Sequence, residues 1–398
     1  MKSSMNRFTM TSAIGLLAAF LFAACTPDQK IEPQEERNVP PGVVVSYIPR
    51  ATEKYIGSPS LCVLPNGDYL AAHDFFGPQG GSAKSGTTQV FRSKDKGVTW
   101  KQVATVKDAF WSNLFVHDGD VYLLGTQSGH GNIAIHKSVD DGNTWSDAVV
   151  LFKGHYHTAP TNVVSHKGRL WRAFENADAK LNTNSPDRYG ILMISCNENV
   201  DLMNPDNWSQ TNCLVGNPEW MDGQFKGWME GNALVTREGN LVDVARVHIY
   251  RNVKERIAIA DVDPESNTMS FKPVSGFSFF PGGTKKFTIL YDPKTDYYLS
   301  LVNDIKPGLE NEIQVYVRNS LSLACSKDLK NWKLVKRVLD HPDVKNHAFQ
   351  YVDWLFEGND IIFLSRTAYD DALGGADSGH NANYLTFHRL KNYAQYIK

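Results

Sequence analysis

An eight-residue pattern occurs twice in this chain and constrains its fold more than any other feature. Ser93-Lys-Asp95-Lys-Gly97-Val-Thr99-Trp100 returns 45 residues later as Ser138-Val-Asp140-Asp-Gly142-Asn-Thr144-Trp145. A turn-forming motif at that period marks repeated sheet units of the propeller type. The chemistry is that of a tight hairpin. Asp accepts backbone N–H bonds across the turn, Gly takes the position that needs φ > 0, and Trp packs between neighbouring sheets. Such turns sit on the rim, so Asp95 and Asp140 are read as structural. Weaker copies run from Ser195 to Trp208, from Asp261 to Phe271 and from Ser326 to Trp332. Short apolar runs with period-two character lie between them, among them Val121–Leu124, Ile191–Ile194, Leu241–Val244, Phe287–Leu290 and Ile361–Leu364. Each is bounded by turn residues and reads as a strand. Grouped, they give blades near 58–107, 110–153, 157–215, 228–276, 284–338 and 346–394, with Val43–Ile48 completing the last blade and closing the ring. The prediction is an all-β chain, a single six-bladed propeller over residues 42–398; a seventh blade would have to hide in the long third or fifth unit.

The first 24 residues have a different character. Lys2 and Arg7 precede an apolar stretch from Ala13 to Ala24, too short to span a bilayer and ending in small residues. Leu21-Phe22-Ala23-Ala24-Cys25 resembles the lipobox of bacterial lipoproteins, which implies cleavage before Cys25 and lipidation of its thiol. Residues 25–41, rich in Pro, Glu, Gln and Lys, read as a flexible tether. The expectation is an exported lipoprotein, monomeric, held by its lipid at the periplasm or the outer-membrane surface. The net charge of −2 leaves no basic field for nucleic acid. Beyond Cys25 the cysteines are Cys62, Cys196, Cys213 and Cys325, with no C-x-x-C pair of the zinc-binding kind. An oxidising compartment leaves a Cys196–Cys213 disulfide open. No metal ligand set stands out and no cofactor is required; a structural Ca²⁺ on carbonyl oxygens at the axis would leave no sequence mark.

The S-x-D-x-G-x-T-W turns are Asp-boxes, and together with the strand order they resemble the sialidase superfamily of propellers across nearly all of residues 42–398. Members hold a carboxylated sugar with three Arg and use a Tyr–Glu nucleophile pair and an Asp acid/base. Met229-Glu230-Gly-Asn232 followed by Gly239 to Arg246 is similar to the segment that supplies the Glu and one Arg, and Phe349-Gln350-Tyr351 falls where the Tyr belongs. The stretch Tyr55-Ile56-Gly57-Ser58-Pro59 carries Gly57 where the first Arg would stand, and Gly cannot pair with a carboxylate.

A second resemblance is to propeller enzymes that cleave rhamnose–glucuronate linkages as rhamnohydrolases or lyases, relatives of the propeller ulvan lyases. It rests on Asp68 to Gly77 with His73 and Asp74, His157-Thr-Ala-Pro160, Gly168 to Glu175, Gly282 to Phe287, and His380-Asn381-Ala-Asn383-Tyr384. A uronate carboxylate needs cations, and Arg172, Arg246 and Arg366 end apolar runs in different blades, with Lys286 beside them. In an elimination they would neutralise the carboxylate while a His or Tyr takes the adjacent proton. In a hydrolysis two carboxyl groups, or a water activated by His, would act. The candidate catalytic residues are His73, His157, Glu230 and Tyr351, with Asp74 and Glu175 as further carboxyls. The candidate substrate-binding residues are Arg172, Arg246, Arg366, Lys286, His380 and Asn383. Each has a structural alternative: His73 as a core histidine, Arg246 in an inter-blade salt bridge, His380 and Asn383 as a ring latch, Trp220 and Trp228 as core.

These readings converge on a carbohydrate-active enzyme, a glycoside hydrolase or polysaccharide lyase. It would remove a terminal sugar from an acidic glycan, most sharply at a rhamnose–glucuronate linkage. The alternatives are a sialidase-type exo-glycosidase and a non-catalytic glycan-binding surface lipoprotein.

Overall fold

The computed structural model describes residues 39–180, 186–249 and 254–397. The expected signal segment, Cys25 and nearly all of the tether lie outside them. The strands form six antiparallel sheets arranged as six blades. Blade 1 spans Tyr55–Ile56 to Lys101–Lys107, blade 2 Phe110–His117 to Val149–Phe152, and blade 3 Tyr156–His157 to Leu214–Val215. Blade 4 spans Phe225–Val235 to Phe277–Phe279, blade 5 Ile289–Asp292 to Lys333–Asp340, and blade 6 Ala348–Glu357 to Tyr384–Leu390. Val43–Tyr47 pairs antiparallel with Tyr384–Leu390 as the outer strand of blade 6, closing the ring as expected. Among the described residues there is no seventh blade: the third and fifth units each make one sheet.

The strands read as nearly continuous apolar runs because both faces of each sheet are covered. Six large apolar clusters result, one between each pair of adjacent blades. The repeated turns serve those clusters. Asp95 accepts from Thr99 N at 2.8 Å and Thr99 Oγ1 at 2.6 Å, and Asp140 repeats this at 2.8 and 2.7 Å. Gly97, at φ 91°, presses on Phe387 of the preceding blade, where a Cβ would come within 2.1 Å of the ring. Trp100 lies against the same ring, with centroids 5.4 Å apart. In the last of the weaker copies Leu329 stands in the left-handed region at φ 61°, and Trp332 packs on Phe280, just past blade 4.

At one level of the axis the innermost strands lose regularity. In blade 1 the strand breaks at Gly57-Ser58-Pro59, and in blade 3 between His157 and Val164, around Pro160. Pro cannot donate to a ladder, which favours such breaks. In blades 2, 4 and 6 the register slips at Phe110/Asn113, Met229/Asn232 and Gln350/Asp353. The bulged residues Trp111, Glu230 and Tyr351 have φ of 47°, 53° and 53°. Bulges re-aim side chains and concentrate at functional sites, and non-Gly residues at such φ store strain.

Candidate active site

The breaks and bulges open a cavity of 400 Å³ at the axis, lined among others by Asp74, Trp111, His157, Glu230, Tyr351 and Arg366. The Tyr351 hydroxyl donates to Glu230 Oε1 at 3.0 Å. Arg246 Nη1 donates to Glu230 Oε2 at 2.6 Å, in an ion pair whose partners are almost wholly buried. Burial alone would raise the Glu230 carboxyl, but Arg246, His157 and the Tyr351 hydroxyl hold it down at about 2. Two more guanidinium groups lie against the Tyr351 ring, Arg366 at 4.7 Å and Arg318 at 5.6 Å from its centroid. Their hydrogen-bond partners are neutral oxygens: Gln350 Oε1 and Val315 O for Arg318, and His380 O for Arg366.

Asp74, on the second strand of blade 1, closes another side of the cavity. Its Oδ1 accepts from Ser58 N at 2.7 Å and its Oδ2 from Trp111 N at 2.6 Å. Burial raises its carboxyl to about 6, against the pull of those amides and of Arg366. Gly57, which stands where the resembling family carries its first Arg, makes room for Asp74. A Cβ there would lie 1.5 Å from Asp74 Oδ1, so residue 57 has to be bare for Asp74 to sit where it does. Arg366, from blade 6, lines the same cavity.

A separate pair faces the cavity from blade 3. His157 Nδ1 bonds Glu175 Oε2 at 2.7 Å, leaving Nε2 for the cavity. The imidazole stacks on Tyr189 at 4.7 Å and meets the Trp111 ring edge-on at 4.4 Å. Glu175 Oε1 accepts from Gly231 N at 3.1 Å, which ties the pair to the Glu230 bulge. Behind it Asp243 is fully buried, with neither carboxyl oxygen hydrogen-bonded; burial and the Glu175 charge push its pKa well up.

The structure thus brings His157, Glu230, Tyr351, Arg246, Arg366 and His380 to one place, with Asp74 and Glu175. Four other expected site residues are elsewhere. His73 is a core histidine: Nδ1 meets Asp74 O at 2.9 Å, Nε2 meets Ser46 Oγ at 3.1 Å, and the ring stacks on Phe91. Arg172 is wholly buried and donates to the carbonyls of Leu124, Trp111 and Ala159, tying blade 3 to blade 2. Lys286 is buried and donates to Thr288 Oγ1 and Val352 O, each at 2.8 Å. Asn383 latches the loop of blade 6 through Tyr369 and Asp371. Trp220 and Trp228 pack together with Phe225 and Phe271 in a core cluster. Cys196 and Cys213 are free thiols. Sequence reasoning missed Arg318 and Trp111. Arg318 lies in the loop before the strand Ser320–Ser326, not at the end of an apolar run, and Phe110-Trp111 gave only an aromatic pair opening an apolar run. Among the described residues no group of three or more His, Cys, Asp or Glu gathers as a metal site.

No family model matches the chain, and no curated protein matches it. Among solved structures it is similar to a Hadza microbial sialidase, at 14% identity and a TM-score of 0.60, over 89% of this chain and 69% of that one. It is similar to a protein of unknown function from Dyadobacter fermentans at 12% identity and a TM-score of 0.60, over 89% and 99%. It is also similar to an α-L-arabinofuranosidase from Fusarium graminearum at 12% identity and a TM-score of 0.57, over 90% and 99%. The likeness is one of fold, that of a six-bladed propeller.

Proposed function

We propose that this protein is a glycosidase that removes a terminal carboxylated sugar from an acidic glycan. The observation that carries the reading is the Arg246–Glu230–Tyr351 chain, with Arg318 and Arg366 flanking the Tyr351 ring. Three guanidinium groups gather with the carboxyls Glu230, Asp74 and Glu175, and with Asp74 holding its proton the remaining positive charge suits a substrate carboxylate. Two of the similar structures bear the names of glycosidases, which supports glycan processing. In this reading Tyr351 Oη attacks the anomeric carbon and passes its proton to Glu230. The bond to the leaving oxygen breaks as Asp74 protonates that oxygen. Water then attacks the same carbon and gives a proton to Asp74, while Tyr351 departs and recovers its own from Glu230. The lipid on Cys25 would tether the enzyme outside the cytoplasm, at the periplasm or outer-membrane surface.

A second reading draws on the His157–Glu175 pair. An imidazole held by a buried carboxylate suits proton abstraction beside a uronate carboxylate, as elimination at a rhamnose–glucuronate linkage requires. One experiment separates the two. Residues 26–398 are assayed on aryl sialosides, aryl glucuronides and a rhamnose-capped glucuronate glycan, following released sugar and absorbance of a new 4,5-double bond. The expected result is sugar release without absorbance, and a kcat about 10²–10⁴-fold lower for Tyr351→Phe. Absorbance that depends on His157 and not on Tyr351 would replace hydrolysis by elimination. No product from any of these would overturn catalysis in favour of glycan binding.

A further inference from the structure

Strand register fixes the side of the propeller from which the N-terminal segment emerges. In blade 6 Ser46 pairs with Leu385, Leu385 with Arg366 and Arg366 with Gln350, so Ser46 stands level with the candidate site. Followed backwards, the chain leaves that level. Val43 pairs with Phe387, and Gly42 lies against His388, where a Cβ would come within 2.5 Å of the imidazole. The Phe387 ring is the one that Gly97 and Trp100 of the first Asp-box press on. The N-terminal segment therefore departs beside an Asp-box turn. Blade 1 shows how far such a turn lies from the site. Asp74 pairs with Thr88, whereas Tyr69 pairs with Ser93, where the turn begins. The strand between Tyr69 and Asp74 rises about 17 Å.

The 13 residues from Thr26 to Asn38 separate Cys25 from Val39, which is exposed. A chain of that length reaches about 45 Å fully extended and about 20 Å as a random coil. To set a lipid on the cavity side it would have to climb the edge of blade 6, whose inner strand Ala348–Glu357 has 10 residues and rises about 33 Å. The coil length falls short of that climb, and stretching the chain to make it costs conformational entropy. The Asp-box side also presents apolar tips. Val98 and Val139, in the first two Asp-boxes, and Val200, just past the strand Gly190–Asn197, are 67%, 74% and 40% exposed. Each is an apolar side chain in water that a headgroup layer would cover.

We infer that the Asp-box side is the face this protein turns to its anchoring bilayer, so that the candidate active site opens away from that membrane and draws its glycan from the surrounding phase. The inference rests on the lipid on Cys25 in the proposed function and adds an orientation to it. The test uses the full chain, acylated in a bacterial host and reconstituted in phosphatidylcholine vesicles that carry an acceptor dye on their headgroups. A donor dye is placed at Val139→Cys, on the Asp-box side, or at Leu373→Cys, on the exposed loop that follows Asp360–Ala368 on the cavity side. Both variants carry Cys213→Ser, because the other three described thiols are buried. Strong energy transfer is expected at position 139, and most of it should be lost at position 373. Equal transfer at the two positions, or stronger transfer at 373, would overturn the orientation. The intact mass separates this from failure of the lipid reading. A chain without an acyl group on Cys25 has no anchoring bilayer, and the inference falls with that reading, while the glycosidase reading, assayed on residues 26–398, is decided by itself.

Discussion

Two carboxyls in one cavity are driven apart by what surrounds them. Glu230 stays ionised at about 2 beside Arg246, while Asp74, buried and seated on two amides, is raised to about 6. In the proposed hydrolysis such divergence suits Asp74 to the acid role and Glu230 to that of proton acceptor. The pH dependence follows with a definite sign. Asp74 carries its proton below about 6 and loses it as the pH rises through that value, so kcat/KM should fall on the alkaline side with an apparent pKa near 6. Asp74→Asn should remove that limb and lower the rate about 10²–10⁴-fold, as a pH–rate profile of both proteins would show. An unchanged limb in the variant would assign the proton to another group. Much of this constellation was legible in the sequence. Glu230, Arg246 and Tyr351 lie on largely apolar strands, within segments that resemble a known pattern. His73 looked equally promising, but neighbouring strand residues point to opposite sheet faces. Asp74 faces the cavity and His73 packs on Phe91, and nothing in Tyr-Leu-Ala-Ala-His-Asp says which face is which.

At the scale of the strand, the recurring device is the bulge that puts Trp111, Glu230 and Tyr351 in the left-handed region. The Asp-box turns could be read because Ser, Asp, Gly and Trp are each required by the turn. A bulge built on Trp, Glu or Tyr has no such signature, which is why Trp111 went unnoticed. The strain predicts a reversal of an ordinary preference. In a regular strand Gly is less stable than Ala by about 0.5–1 kcal/mol, because it loses more chain entropy on folding. At position 351 the Cβ of Ala keeps the left-handed penalty of about 1–2 kcal/mol, which Gly escapes. Tyr351→Gly should therefore be the more stable of the pair, while Leu355→Gly, farther along the same strand, should be less stable than Leu355→Ala. Urea unfolding of the four variants measures both differences. If Gly is the weaker residue at both positions, the φ of Tyr351 is not a source of strain.

For the molecule as a whole, the blade boundaries follow from turn chemistry to within a few residues, and the closing strand from an apolar run left over at the N-terminal end. The sequence could not show what that strand holds in place. Val45 enters the cluster between blades 6 and 1, Tyr47 stacks on Tyr384 at 4.8 Å and donates to Asp371, and Ser46 Oγ partners the buried His73. The seam thus joins the last blade to the first through a histidine that has no other partner for Nε2 among the described residues. Removing Val43–Tyr47 would expose the edge of Tyr384–Leu390 and leave that nitrogen unsatisfied, at a cost of about 1–3 kcal/mol for the nitrogen alone. A chain beginning at residue 49 should therefore melt several degrees below one beginning at residue 39, and it should self-associate through the open edge. A peptide of residues 39–48 added in trans should bind that edge as a strand and restore the melting temperature. The same peptide with Ser46→Ala should restore less of it, because His73 Nε2 stays unpaired. Calorimetry on the shortened chain with each peptide reads both effects. If the two chains melt together, the blades hold one another without the closing strand, and the inter-blade clusters alone carry the ring.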